Sequence, residues 1–252
     1  MRGVIGKALP SLGGRASEGL APRQRGRHVN PSRCVCNCYV STVSRAKSSL
    51  RTRRIGFHMR ITGGNARGIP LQVPPGDAVR PATDAMRQAV FSSLGARVAG
   101  ARFLDLFAGT GAYGLEALSR GASGGAFVER DPRTAGCLGR NLDAVCKSLG
   151  RDRTGLDILT RDALAVPAET VAAADLVFVD PPYAAIESAA PKLFALFATA
   201  WTGRGDGLVV FEMPGELELA PDGWTCVKRL GKGGRQPTVA FFKASRAALS
   251  PA

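Results

Sequence analysis

At 252 residues the chain is long enough for one large α/β domain, or for one domain with a tail. Its net charge of +14 suggests nucleic acid, but residues 1–58 hold 12 Lys and Arg against the single acid Glu18, while residues 59–252 hold 22 against 19. The basic excess therefore sits in the first segment and does not by itself make the rest of the chain a nucleic-acid binder, and the lack of any apolar run near 18 residues excludes a transmembrane helix.

Residues 1–58 are rich in Arg, Ser and Gly and show no apolar periodicity; Arg23 to Arg27 and Arg51 to Arg54 read as disordered or as an electrostatic arm. Three readings fit this composition: a mitochondrial or plastid transit peptide, a basic arm for RNA, or a segment that is not made, with translation starting at Met59. The last is the expectation favoured. Cys34, Cys36 and Cys38 alternate too closely for a zinc knuckle and have only His28 as a nearby fourth ligand, so no metal site is expected. Cys137, Cys146 and Cys226 stand singly, as in reduced cytosolic proteins. The expected location is the cytoplasm, or a mitochondrion or plastid if the first segment is a transit peptide.

From Met59 the pattern is regular. Met59–Pro74, with Gly63, Gly64 and Gly68, predicts a short β-hairpin or paired strands, and Pro81–Leu94 a helix capped by Thr83, with Met86, Val90, Phe91 and Leu94 at helical spacing. A strand over Arg102–Phe107 precedes a helix over Ala112–Arg120. A strand over Gly125–Glu129 leads to a helix over Pro132–Leu149, with proline in its first turn. Leu156–Thr160 and Leu176–Asp180 are the third and fourth strands; a helix over Glu187–Ala200 and a strand over Leu208–Glu212 follow. Trp224–Leu230 and Thr238–Lys243 close the chain as a hairpin around Gly231, Gly233 and Gly234.

Alternating strands and helices predict a doubly wound, mostly parallel sheet with helices on both faces. Ligands bind such sheets at the carboxyl ends of the strands, near the reversal of strand order. Asp105, Glu129, Asp162 and Asp180 stand at or just past four such ends, and packing does not explain four acids on one edge of a buried sheet.

The first of these ends runs through Asp105-Leu106-Phe107-Ala108-Gly109-Thr110-Gly111-Ala112-Tyr113-Gly114. Gly109, Gly111 and Gly114 match G-x-G-x-x-G between a strand and a helix, and Glu129 follows Gly109 at the distance suited to ribose hydroxyls. A nicotinamide dinucleotide and S-adenosylmethionine both fit such a turn. Asp105 favours the second, because it would repel a pyrophosphate but suits a sulfonium and an amino group. Asp162 can accept from an adenine amino group. At the fourth strand end, Asp180-Pro181-Pro182-Tyr183 follows the apolar run Leu176–Val179. The prolines fix φ and remove backbone donors, so the Asp180 carboxylate and the Pro181 carbonyl are set to accept from an exocyclic amino group while Tyr183 stacks on its base. A plain Asp-Pro turn at a strand end is the structural alternative.

Asp105–Leu118, Val128-Glu129, Asp162 and Val179–Tyr183 together resemble a class I methyltransferase acting on an amino nitrogen. Met59–Gly64, Ala66-Arg67-Gly68 and Arg80–Asp84 narrow this to a resemblance to the bacterial 16S rRNA guanine-N2 methyltransferase family (RsmD-like), over essentially all of residues 59–252. The chain departs from the family pattern at Ala82, where threonine is usual, at Tyr113, where leucine is common, and in its extra 58 residues.

The resemblance implies a seven-stranded Rossmann-like fold with a small amino-terminal hairpin and helix. It divides the chain into a basic segment (1–58), an RNA-facing hairpin and helix (59–98), a methyltransferase domain (99–246) and a tail (247–252). The implied reaction is methyl transfer from S-adenosylmethionine to N2 of one guanine in 16S rRNA, free or within a small-subunit assembly intermediate, by a monomer. Cofactor contacts fall on Asp105, Phe107, Ala108, Gly109, Thr110, Gly111, Gly114, Glu129, Arg130, Asp162 and Ala163; catalysis falls on Asp180, Pro181, Pro182 and Tyr183. Arg60, Arg67, Arg80 and Arg87 are the candidate RNA phosphate contacts, against the reading of a solvated or salt-bridged hairpin. Two enzyme alternatives stand beside this reading: amino methylation of adenine N6 or cytosine N4 in DNA or RNA, and a dinucleotide-dependent oxidoreductase. A non-catalytic RNA-binding role would leave the strand-end acids without a purpose.

Overall fold

A computed structural model describes residues 59–74, 83–204, 206–231, 234 and 236–245, all within one compact unit. The expectations placed on residues 1–58, on Arg80 and on the tail past residue 245 lie outside the described residues.

Thr83 Oγ1 accepts the Met86 N–H at 3.2 Å and starts helix α1 (Asp84–Leu94). Alternation then sets in: β1 (Arg102–Leu106), α2 (Ala112–Ser119), β2 (Gly124–Val128), α3 (Pro132–Leu149), β3 (Leu156–Leu159), α4 (Ala168–Ala172), β4 (Leu176–Val179), α5 (Ile186–Ala200), β5 (Leu208–Pro214), β6 (Trp224–Leu230) and β7 (Pro237–Ala244). Asp131 caps α3 by accepting the Thr134 N–H at 2.8 Å, and Pro132 occupies its first turn, where a missing N–H costs nothing. The short helix α4 has no counterpart in the sequence reading, since five residues carry too little periodicity to announce themselves.

The seven strands form one sheet in the order β3-β2-β1-β4-β5-β7-β6. β1 to β5 are parallel, and β7 runs antiparallel between β5 and β6. Strand order reverses between β1 and β4, so the chains leaving their carboxyl ends diverge and open a crevice there.

Period-two alternation assigns each face its own core. Phe103, Phe127, Phe178 and Val210 pack with Val90 and Phe91 of α1, Leu115 of α2 and Leu138 of α3. Leu104, Leu106, Val177, Val179 and Phe211 pack on the other face with Leu193, Phe194 and Phe197 of α5. Burial of each such side chain stabilises the fold by about 1.5–3 kcal/mol. Continued by two residues, the first face carries Asp105 after Phe103, Asp180 after Phe178 and Glu212 after Val210. Three acids therefore project on the side covered by α1, α2 and α3.

The segment 59–74 differs in detail from the expected paired strands. It closes on itself through a single antiparallel bridge, Arg60 with Pro70, flanked by the Ile61 N–H to Ile69 carbonyl bond at 2.9 Å and the Leu71 N–H to Met59 carbonyl bond at 2.8 Å. No longer ladder forms because the turn bonds elsewhere: Asn65 N–H donates to the Ser119 carbonyl and Ala66 N–H to Ser119 Oγ. Glu116, fully buried on α2, accepts from Thr62 N–H and Thr62 Oγ1, each at 2.7 Å, and from Arg120 Nε at 2.8 Å. The segment is thereby tied to the helix that follows the glycine turn, and Met59 reaches the crevice.

Among the described residues no helix is long and apolar enough to cross a membrane.

Candidate active site at the carboxyl edge of the sheet

A cleft of about 1070 Å³ opens at the strand-order reversal. Pockets for drug-sized ligands measure about 300–1,000 Å³, so this one has room for a nucleoside-sized cofactor together with a second flat ligand. Its walls come from five strand ends.

The turn after β1 forms the first wall. Phe107 is the one non-glycine residue at positive φ (57°) among the described residues, a conformation that costs about 1–3 kcal/mol and is concentrated at functional sites. The strain lets the chain swing from β1 into Ala108-Gly109-Thr110, all of which line the cleft with Phe107. Gly111 (φ 84°) precedes α2, and a Cβ there would collide with Leu138 Cδ1. A Cβ at Gly114 would collide with the rings of Phe127 and Phe103. Gly114 lets α2 sit close on the sheet and Gly111 lets the turn sit close against α3, and neither lines the cleft. Thr110 points its hydroxyl at Met59 Sδ (3.3 Å), and its carbonyl accepts from Asn141 Nδ2.

Asp105 stands beneath this turn and is 2% exposed; its Oδ2 accepts the Gly114 N–H at 2.8 Å. Burial pushes its carboxyl up to about 8; the Gly114 hydrogen bond opposes the shift and the charge of Glu129 adds to it. Glu129 follows β2 and holds both flanking backbones, with Oε2 accepting from Gly109 N–H and Oε1 from Asp131 N–H, each at 2.9 Å. Arg130 lies beside it on the rim. Past β3, Asp162 caps a short 3₁₀ turn by accepting the Leu164 N–H at 2.8 Å, with buried Ala163 and exposed Leu164 beside it.

The opposite wall is Asp180-Pro181-Pro182-Tyr183. Asp180 is half-buried, Pro181 buried, and Tyr183 stands 44% exposed at the mouth. Burial first, then the charges of Glu212 and Asp105, hold the Asp180 carboxyl well above the usual carboxylate range.

Two residues that the sequence reading passed over complete the site. Glu212 is 3% exposed and lines the cleft from β5, where the parallel register pairs Val179 with Phe211 and so sets Asp180 beside Glu212. Tyr113 donates its hydroxyl to Glu212 Oε2 at 2.7 Å and stacks on Phe178, with ring centroids 5.4 Å apart. Burial raises the Glu212 pKa, against the Tyr113 hydrogen bond and the nearby Arg87 charge.

The four arginines assigned to RNA part ways. Arg67 is exposed, and Arg60 is exposed while paired with Asp84 at 3.3 Å. Arg80 lies outside the described residues. Arg87 corrects the sequence reading: it is 0% exposed, with Nη2 donating to Asp84 Oδ1 and to the Arg60 carbonyl, each at 2.7 Å. A guanidinium enclosed in this way offers no surface to a phosphate, and its charge acts inward, on Glu212 and Tyr113.

The strand order and the cleft at its reversal define a class I methyltransferase fold. More narrowly, the family described as Conserved hypothetical protein 95 matches residues 59–241, and the chain belongs to it. Ribosomal RNA small subunit methyltransferase D of Escherichia coli (strain K12) is 38% identical over 125 residues, which cover 50% of this chain and 60% of that protein's length. The protein of the same name from Haemophilus influenzae is 30% identical over 185 residues, covering 73% of this chain and 94% of that one. Among solved structures, yhhF from Escherichia coli aligns with a TM-score of 0.56 at 28% identity, over 75% of this chain and 99% of its own.

Proposed function

We propose that this chain is an S-adenosylmethionine-dependent methyltransferase that modifies the exocyclic N2 of a guanine in small-subunit ribosomal RNA. The observation that carries the reading is the meeting, in one cleft, of the glycine turn and Glu129 with Asp180-Pro181-Pro182-Tyr183. The family's named relatives support the substrate class.

The residues present fit the cofactor. Glu129 is fixed by two backbone N–H groups, and a carboxylate so held keeps lone pairs for vicinal ribose hydroxyls. Asp105 suits a cationic group, whose charge would offset the desolvation that now keeps its proton on. Asp162 supplies an acceptor beside the apolar surface of Leu164, as an adenine requires. Asp180-Pro181-Pro182-Tyr183 supplies acceptors for an amino group that hydride transfer does not call for, which weighs against the dinucleotide alternative.

Bound there, the cofactor supplies a methyl carbon activated by its sulfonium. The acceptor nitrogen is a weak nucleophile because its lone pair is delocalised into the base. Asp180 and the Pro181 carbonyl accept its two protons, confine the lone pair to nitrogen and aim it along the line of displacement. As the C–N bond forms the nitrogen gives up one proton, and Asp180, its hydrogen-bond partner with a raised affinity for protons, is placed to hold it. Tyr183 at the mouth stacks on a base turned out of the RNA, and Arg60 and Arg67 are the exposed cations available to its phosphates. Orientation in a water-poor cleft carries the acceleration, with no strong general base. The enzyme acts as a cytoplasmic monomer, on free RNA or on an assembly intermediate.

Asp180→Ala tests the assignment. Methyl transfer falls by about 10²–10³-fold, as when one preorganised polar group is removed from a site, while calorimetric cofactor affinity stays nearly intact. Near-normal turnover in the variant would remove Asp180 from its role.

A further inference from the structure

We propose that Glu212 reads the N1–H of the target base and is the residue that makes the site select guanine over the other bases bearing amino groups; this rests on the guanine-N2 reading above.

The argument starts from strand order. β4 carries Asp180 and has two neighbours, β1 with Asp105 on the cofactor side and β5 with Glu212 on the other. A base whose amino group meets Asp180 and points toward the β1 side must lay the rest of its hydrogen-bonding edge toward β5. The register sets Glu212 there, one strand spacing (about 4.8 Å) from Asp180. Glu212 lines the same cleft although it is 3% exposed.

Base chemistry then separates the candidates. Beside its amino group guanine carries a donor, N1–H. Adenine carries the acceptor N1 beside its amino group, and cytosine the acceptor N3. Two adjacent carboxylates match the donor–donor edge of guanine and face a lone pair in either of the others. A buried carboxylate set against an acceptor leaves both unpaired, a strong ground for rejection.

The surroundings of Glu212 favour that role. Its Oε2 is taken by the Tyr113 hydroxyl at 2.7 Å, which fixes the carboxylate plane, and Tyr113 is itself held by stacking on Phe178. Burial raises the Glu212 pKa, and the Tyr113 hydrogen bond and the buried Arg87 charge both work against that rise. Among the described residues, Arg87 Nε and Nη1 have no hydrogen-bond partner, and Nη2 bonds to Asp84 and the Arg60 carbonyl. Tyr113 is thus a positioning residue, and Glu212 the one that touches the base.

The test compares two short RNAs carrying the mapped target site, one with guanine there and one with 2-aminopurine, which keeps the amino group but replaces N1–H by an acceptor. The wild-type enzyme should prefer guanine by about 10–100-fold in kcat/KM, the range of one good base contact. Glu212→Gln, whose amide can donate as well as accept, should bring the two within about threefold, whereas Glu212→Asp, which keeps the charge, should retain the sign of the preference at a lower kcat. Calorimetric cofactor binding by both variants establishes that they are folded. An unchanged preference in Glu212→Gln would overturn the assignment and leave Asp180 in place. Failure of the wild-type enzyme to methylate N2 of guanine in any small-subunit RNA would overturn the underlying reading, and this assignment with it.

Discussion

Burial pushes the Asp105 carboxyl up to about 8. An unfolded Asp loses its proton near 3.8, so between about pH 4 and 8 the folded chain holds a proton that the unfolded chain has released. Stability then falls as pH rises, by about 1.4 kcal/mol per pH unit from this group, and Asp180 and Glu212 shift in the same direction. The thermal midpoint of the cofactor-free protein should therefore be lower at pH 7.5 than at pH 5.5, with part of the drop removed by Asp105→Asn. A flat profile, or the same slope in the variant, would contradict the burial assigned to Asp105. At this scale the sequence was legible where rule and residue coincide: Asp180-Pro181-Pro182-Tyr183 needs only the strand before it to be read. Glu212 was open to the same strand-end rule, since it closes the expected strand Leu208–Glu212, but the strand runs on to Pro214 and no proline follows the acid directly. Arg87 was misread through phase. The buried stripe of α1 is Arg87, Val90, Phe91 and Leu94, a 3-4-7 pattern, and choosing the apolar Met86 as its first member turned Arg87 toward solvent.

At the scale of elements, the join between the amino-terminal segment and α2 combines the Ser119 bonds with one buried carboxylate. Glu116 accepts three hydrogen bonds, from Thr62 N–H, Thr62 Oγ1 and Arg120 Nε, and Arg120 in turn lies 5.1 Å over the Phe91 ring of α1. Glu116→Leu leaves a buried N–H and a guanidinium without their acceptor, a change that costs about 3 kcal/mol. Urea unfolding should show a lower midpoint with an unchanged slope; a loss below about 0.5 kcal/mol would mean that the segment is held by the Ser119 bonds and its apolar contacts without need of Glu116. The alternation of strands and helices was readable because β1 to β5 are short apolar runs punctuated by glycine and proline. The insertion of β7 between β5 and β6 was not, because pairing order depends on contacts far apart in sequence. The single-bridge closure of residues 59–74 was hidden for a related reason. Its turn is completed by Ser119, on another element.

For the whole molecule, topology turns separate local signals into one site. Asp105, Glu129, Asp162, Asp180 and Glu212 come from five strand ends spread over more than a hundred residues, and a doubly wound sheet delivers all of them to one edge. The reversal between β1 and β4 then places the glycine turn opposite Asp180-Pro181-Pro182-Tyr183. The central claim is that this edge joins a methyl donor to a guanine amino group, and it is tested most directly by transfer of labelled methyl from S-adenosylmethionine. The acceptor is unmodified small-subunit rRNA, naked and in assembled particles, digested afterwards to nucleosides. Label in N2-methylguanosine is the predicted result. Label in N6-methyladenosine or N4-methylcytidine, or none at all from protein that binds the cofactor, would contradict it.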